Sequence, residues 1–108
     1  MGRHDEALAH FESAVRLQPD YAPARISLGT LLLDAGRVEE ALQHYRVAIE
    51  HSQGSTAAEA HNGMGVALAS TGAIDPAIAH FREAVRLRPD YPEARQNLAR
   101  ALSQRGRR

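Results

Sequence analysis

An internal repeat constrains the fold of this chain more than any other feature of its sequence. Residues 10–25 recur as residues 80–95, and eleven of those sixteen positions are identical. The distance in sequence between these two copies spans two shorter units. A short motif of alanine, an aliphatic residue, histidine and an aromatic residue begins at Ala7, Ala41 and Ala77. A period of this length is typical of arrays in which each unit stacks on the next.

Within each unit the apolar residues follow the period of an α-helix. Val38, Ala41 and Tyr45 lie three or four residues apart and therefore share one helix face. Gly36 and Gly72 separate successive apolar stripes and suit a helix end followed by a tight turn. No stretch alternates with the period of a strand. The pattern predicts an all-α chain of about six helices, near residues 4–17, 22–34, 38–51, 57–70, 75–87 and 91–104.

Polar residues mark the expected helix starts. Thr56 and Glu59 have the spacing of a capping box, and Asp75 precedes Pro76 as an N-cap precedes proline in a first turn. Short connections between helices favour antiparallel neighbours. The sequence therefore predicts helix hairpins stacked into a one-dimensional array.

The spacing resembles the tetratricopeptide repeat. This resemblance implies a right-handed α-solenoid of antiparallel hairpins, divided into a half repeat (1–21), two repeats (22–57 and 58–91) and a second half repeat (92–108). Arg25, His61 and Arg95 depart from the family by replacing a tryptophan-type residue, and Gln53 replaces a closing proline. The matching residues are Leu28-Gly29…Gly36…Ala41…Tyr45…Ala48 and Met64-Gly65…Leu68…Gly72…Ala77…Phe81…Ala84…Pro89.

Composition excludes several classes of function. Thirteen arginines balance thirteen acidic residues, and the chain has neither lysine nor cysteine. Disulfides, thiolate nucleophiles and cysteine-ligated metals are therefore excluded. The longest strongly apolar run, Leu31 to Leu33, is far shorter than the roughly 20 residues of a membrane helix. We expect neither a membrane span nor a secretory signal, and a cytoplasmic location.

The repeat accounts for the aromatic residues, which leaves little for catalysis or base stacking. Phe11, Tyr45 and Phe81 occupy one repeat position, and Tyr21 and Tyr91 occupy another. Such a periodic set is more typical of a core than of a cofactor site. No serine lies in a nucleophile elbow, and a phosphate loop would need a lysine. We therefore expect no enzymatic activity.

Histidine also recurs, at His10, His44 and His80. Glu6 and Glu40 lie four residues before the first two, on the same helix face. Packed helices are about 8–10 Å apart, so one metal ion cannot bind the recurring histidines of two successive units. We expect half-buried imidazoles, no metal and no cofactor.

Positive charge concentrates near the C-terminus. It could contact RNA, an acidic peptide or lipid, or it could be a solvated helix end. Because no aromatic residues interleave with it, the sequence favours the solvated end and no nucleic-acid partner. The arginines concerned are Arg95, Arg100, Arg105, Arg107 and Arg108.

The resemblance implies a binding surface on the concave side, which the first helix of each unit lines. The expected function is a non-catalytic scaffold that binds a protein or peptide there. The alternative is a regulatory or substrate-recognition segment of a larger enzyme. Some family members hold a carboxylate in this groove with lysine, arginine and asparagine. Much of that space is occupied here by Ile26, Thr30, Glu59 and Glu93, so we expect a mixed apolar and polar ligand. The predicted groove residues are Ile26, Thr30, Leu33, Asn62, Val66, Ala69, Gln96 and Arg100.

Each end of the sequence is half a unit, and the two halves are complementary. Gly106 has the repeat position of Gly2, so the end joined to the beginning would form one complete repeat. There are two explanations for the half units. Either their partner helices belong to a longer array, or the last helix of one molecule completes the first repeat of another. The second case predicts a head-to-tail homo-oligomer. The side chains expected to need cover are Leu8, Phe11, Val15, Leu98 and Leu102.

Overall fold

A computed structural model describes residues 2–107, all of which lie in α-helices or in short connections; Met1 and Arg108 lie outside the described residues. Consecutive helices pack against each other, and α2 and α6 also contact α4. The first helices of the units thus form one continuous layer, as in an α-solenoid. The helices are α1 (Gly2–Leu17), α2 (Ala22–Asp34), α3 (Val38–Glu50), α4 (Gly54–Ser70), α5 (Ile74–Leu87) and α6 (Pro92–Gly106).

The two predicted glycine turns close in the same way. Gly36 and Gly72 have φ angles of 81° and 85°, in the left-handed region that a side chain disfavours. In each turn the amide one residue later donates back to a carbonyl of the last helical turn: Arg37 to Leu32 at 2.8 Å, and Ala73 to Leu68 at 3.0 Å. These bonds satisfy carbonyls that the helix end leaves open.

Two predicted helix starts are wrong. Helix α4 begins at Gly54, so Thr56 lies inside its first turn and does not cap it. Helix α5 begins at Ile74, so Asp75 is a first-turn residue and not the N-cap. Backbone geometry explains both cases. Gly54 turns the chain with a φ of 58° at the start of α4. In the turn at Gly72, the hydrogen bond from the Ala73 amide to the Leu68 carbonyl directs the chain into α5 before Asp75 is reached.

A buried tyrosine ring holds three helices together. Tyr45 of α3 is 1% exposed, and its ring lies against Gly29 of α2 and Gly63 of α4. A Cβ at Gly63 would lie 2.6 Å from Cζ of Tyr45, and one at Gly29 would lie 3.0 Å from Cε1. Glycine normally weakens a helix by about 1 kcal/mol relative to alanine. The room that the Tyr45 ring needs accounts for the glycine at position 63 in the middle of α4.

One of these two contacts recurs one unit later, where Phe81 packs against Gly65, the repeat equivalent of Gly29. The aromatic prediction is therefore confirmed at Tyr45 and Phe81, which are both buried. It is wrong at Tyr21, which is 53% exposed. Tyr91 rests against α4, whereas no helix among residues 2–107 occupies the equivalent place beside Tyr21.

We expect Gly63→Ala to destabilise the fold although alanine is the better helix former. Overpacking against the Tyr45 ring costs about 1–3 kcal/mol, which outweighs the helix-propensity gain of about 1 kcal/mol. Thermal unfolding followed by circular dichroism should show a Tm lower by several degrees. Gly106→Ala is the control, because a Cβ there meets open space. A Tm for Gly63→Ala at or above that of the control would contradict this account of the ring contact.

Candidate functional site

A groove of about 480 Å³ crosses the layer formed by α2, α4 and the start of α6. Five of the eight residues that the family resemblance implied for the groove line it: Ile26, Thr30, Leu33, Asn62 and Val66. Its other lining residues are Asp34, Tyr45, Glu59, Gly63, Tyr91 and Glu93.

A smaller cavity of about 90 Å³ adjoins the groove and shares Val66 with it. Two further predicted residues, Ala69 and Arg100, line this cavity, whereas Gln96 is exposed and lines neither space. Asn97 lines the cavity instead. It has the repeat position of Gly63, and because that glycine carries no side chain, the repeat gave no signal for a functional residue there.

A chain of side-chain amides connects the two spaces. Asn62 is 5% exposed, and its Nδ2 donates to the Tyr91 hydroxyl at 3.4 Å. Its Oδ1 accepts from Nδ2 of Asn97 at 3.0 Å, and Arg100 Nη1 donates to Oδ1 of Asn97 at 3.2 Å. A buried amide is costly unless it is hydrogen-bonded. The network therefore fixes the orientation of Asn62 between α4 and α6.

Both tyrosine hydroxyls of the groove stay protonated at neutral pH. Burial is the main cause that raises the pKa of Tyr45, and Asp34 adds to it, while the 2.9 Å hydrogen bond to Thr30 Oγ1 opposes it. Burial also raises the pKa of Tyr91, with further contributions from Glu93 and Glu59. The groove thus presents neutral hydroxyls in a negative electrostatic surrounding.

Every charged residue that lines the groove is acidic: Asp34, Glu59 and Glu93. Glu59 pairs with Arg88, whose Nη1 lies 3.8 Å from Oε1 of Glu59. The same guanidinium lies over the Tyr91 ring, with Cζ 4.4 Å from the ring centre. One cation of the chain itself therefore already occupies the rim between a carboxylate and an aromatic face.

Half-buried histidines join the two helices of each complete hairpin. Arg25 Nη1 donates to Nδ1 of His44 at 2.9 Å, and in the next unit His61 and His80 share a hydrogen bond between their Nδ1 atoms at 2.9 Å. The partner pairs are both nineteen residues apart in sequence. His44 and His80 are half-buried as predicted, whereas His10 is exposed. Their cross-helix partners were not predicted, although residues 25 and 61 share a repeat position.

Within residues 2–107, no three histidine, aspartate or glutamate side chains lie together in positions that could hold a metal ion. None of the helices in this part of the chain is long and apolar enough to cross a membrane.

The predicted end surfaces are covered unequally. Val15 is 9% exposed and belongs to the core cluster with Leu28 and Leu32, so the prediction that it lacks cover is wrong. The reason is that its side of α1 packs against α2. Leu8 and Phe11 of α1 and Leu98 and Leu102 of α6 are half-buried. Leu17, which was not singled out from the sequence, is 82% exposed.

Comparison with known protein families identifies the repeat. A family described as tetratricopeptide repeat matches residues 1–66, and a second, described as TPR repeat, matches residues 67–106. The chain belongs to the tetratricopeptide repeat (TPR) family. TPR proteins are generally non-catalytic modules for protein–protein interaction, and the predicted family and all-α solenoid are confirmed.

Solved TPR structures share this fold. A crystal structure of MamA has a TM-score of 0.84 at 22% sequence identity over 97% of this chain, and a thermophilic TPR protein of Thermus thermophilus has 0.80 at 25% over 94%. The TPR domain of Arabidopsis OM64 has 0.84 at 20% over 93%, with 81% of that structure covered. The chain spans 60% of the MamA structure and 50% of the Thermus one. No curated protein matches the sequence significantly.

Acidification is expected to destabilise this TPR array through its hairpin histidines. Burial is the main cause that lowers the pKa values of His44, His61 and His80. An unfolded imidazole has a pKa of about 6.5, so below that pH the unfolded chain binds more protons than the folded one. Stability is therefore full above about pH 6.5 and is lost as the pH falls towards the lowered folded values.

The measurement is Tm at several pH values from about 7.5 down to about 5, a range in which carboxylates remain largely ionised. His80→Gln should reduce the loss of Tm on acidification, because one titrating ring is removed from the pair. The same substitution at exposed His10, whose ring contacts Phe11 of the same helix, is the control and should leave that loss unchanged. A parent Tm that does not fall over this range would show that the buried rings do not govern acid stability.

Proposed function

We propose that this chain is a non-catalytic scaffold that binds an extended segment of a partner protein along the groove of α2, α4 and α6. The observation that carries the proposal is the composition of that groove. Aliphatic side chains of Ile26, Leu33 and Val66 lie beside the fixed amide of Asn62. An apolar surface with a few oriented polar groups is typical of peptide-binding sites.

The size of the array suits a peptide in an extended conformation. The longest dimension of the molecule is 42 Å. A chain that rises about 3.3 Å per residue would cross it in about twelve residues. The exposed hydroxyl of Thr30 and the half-buried amide of Asn97 can offer hydrogen bonds to the backbone of such a peptide.

The test is a selection from a library of random peptides of about twelve residues, with the parent chain as bait. The selected peptides are then titrated against Thr30→Tyr by fluorescence polarisation. Thr30 is exposed on the groove, so the larger ring should block it sterically and weaken binding at least tenfold.

Thr71→Tyr is the matched control. Thr71 is exposed in the turn after α4 and lines neither the groove nor the adjoining cavity. We expect this variant to bind the selected peptides as the parent does. If no peptide is enriched, or if every enriched peptide binds Thr30→Tyr as tightly as it binds Thr71→Tyr, the groove is not the binding site.

We further propose that α6 of one copy packs against α1 of a second copy, head to tail. The supporting observation is the pairing of repeat positions across each hairpin. Arg25 contacts His44, and His61 contacts His80. By the same spacing, Arg95 of one copy would meet His10 of the next. Leu98 and Leu102 would then cover Leu8 and Phe11, which are half-buried in the isolated chain.

Light scattering over a concentration series measures this association. Leu98→Glu combined with Leu102→Glu should abolish it, because two charges would be buried against an apolar face. The control adds the same charge to exposed positions of the same helix, Gln96→Glu with Ser103→Glu, and should associate as the parent does. A parent that stays monomeric at every concentration, or a leucine double variant that associates unchanged, would refute the pairing.

A further inference from the structure

We propose that the groove selects partner segments in which basic side chains flank an aliphatic one. This inference rests on the proposed peptide-binding function and adds the chemical class of the ligand. The interaction is between arginine or lysine of the partner and the carboxylates at the two ends of the groove, with an aliphatic residue seated between them.

The charge of the groove differs from that of the whole molecule. The chain as a whole is neutral, with thirteen basic and thirteen acidic residues. The groove nevertheless has three carboxylates among its lining residues and no basic side chain. Glu59 already pairs with Arg88. A partner that enters the groove must therefore supply positive charge to Asp34 and Glu93 or leave these two carboxylates without compensation.

One end of the groove combines a carboxylate with a helix C-terminus. Asp34 is the last residue of α2, where the carbonyl ends of the helix already favour a cation, and no basic residue lies in that last turn. Asp34 is exposed and has no cationic partner within residues 2–107. An incoming guanidinium or ammonium group can reach it without displacing an existing ion pair.

The other end already holds a cation of the chain itself. Arg88 lies between the Tyr91 ring and Glu59, at 4.4 Å and 3.8 Å respectively. This contact demonstrates that the rim accepts a planar cation against an aromatic face. Glu93 lines the same end and forms no ion pair in the part of the chain that the structure describes. A partner cation can therefore bind beside Arg88 without competing for Glu59.

Between these ends the lining is aliphatic. Ile26, Leu33 and Val66 are half-buried, so a side chain that covers them gains from burial of apolar surface. The raised pKa values of Tyr45 and Tyr91 agree with this polarity, because Asp34, Glu59 and Glu93 contribute to them after burial. Asp34 lies at the C-terminal end of α2, whereas Glu59 and Glu93 lie towards the N-terminal ends of α4 and α6. The order expected along the groove is thus acidic, aliphatic, acidic.

The experiment neutralises the groove without changing its shape. The variant Asp34→Asn with Glu59→Gln and Glu93→Gln is compared with Asp5→Asn, Glu12→Gln and Glu39→Gln, which removes the same three charges from exposed positions outside the groove. Equal Tm values establish that both are folded. The probes are the peptides that the parent selects and Thr30→Tyr rejects, each also synthesised with its basic residues replaced by glutamine.

We expect these peptides to be enriched in arginine or lysine next to aliphatic residues. The groove variant should bind them at least tenfold more weakly than the control variant, and glutamine replacement in the peptide should cause a similar loss. Parent affinity should also fall with added salt, which screens exposed charges. The groove variant should lose most of that salt dependence.

The proposed ligand class is wrong if the peptides that Thr30→Tyr rejects are not enriched in basic residues. It is also wrong if they bind the groove variant as tightly as the control variant. Either result would leave the proposed peptide binding in place. If Thr30→Tyr rejects no peptide at all, the proposed function fails and this inference fails with it. The two failures are therefore distinguishable in one set of titrations.

Discussion

The contact between the Tyr45 ring and two glycines determines how closely α2, α3 and α4 can approach one another. The ring is fully enclosed, and the absent side chains of Gly29 and Gly63 form two walls of its site. This single ring therefore joins one repeat to the next. Its hydroxyl also reaches the groove, where it pairs with Thr30. The contact that stabilises the stack thus supplies part of the binding surface.

Two kinds of polar contact lie on different parts of each helix pair. Asn62, Tyr91 and Asn97 bond across first helices of successive units, along the groove. The contacts of Arg25 with His44 and of His61 with His80 instead bond the two helices of one unit. The amide contacts do not titrate, whereas the histidine contacts do. Protonation therefore acts first on the cohesion of a hairpin and only indirectly on the groove.

The repeat was sufficient to predict the helices and their order, because these follow from periodicity alone. The family resemblance added five of the eleven residues that line the groove. Helix starts were less predictable, since no polar side chain caps α4 at Gly54 or α5 at Ile74, and the course of the backbone sets both starts. Asn97 was missed because its repeat equivalent is a glycine. The pairing of His61 with His80 was missed because a contact between two helices depends on their relative rotation, which sequence spacing does not give.

The acidic groove has a consequence for the molecule as a whole. Since the chain is neutral, the three carboxylates of the groove are balanced by basic residues elsewhere, and one of these, Arg100 of α6, lines the cavity beside the groove. The neutral total therefore conceals a local separation of charge within one layer of helices. Salt screens exposed charges over about 8–10 Å, so a partner would meet the charge of the groove only at close range.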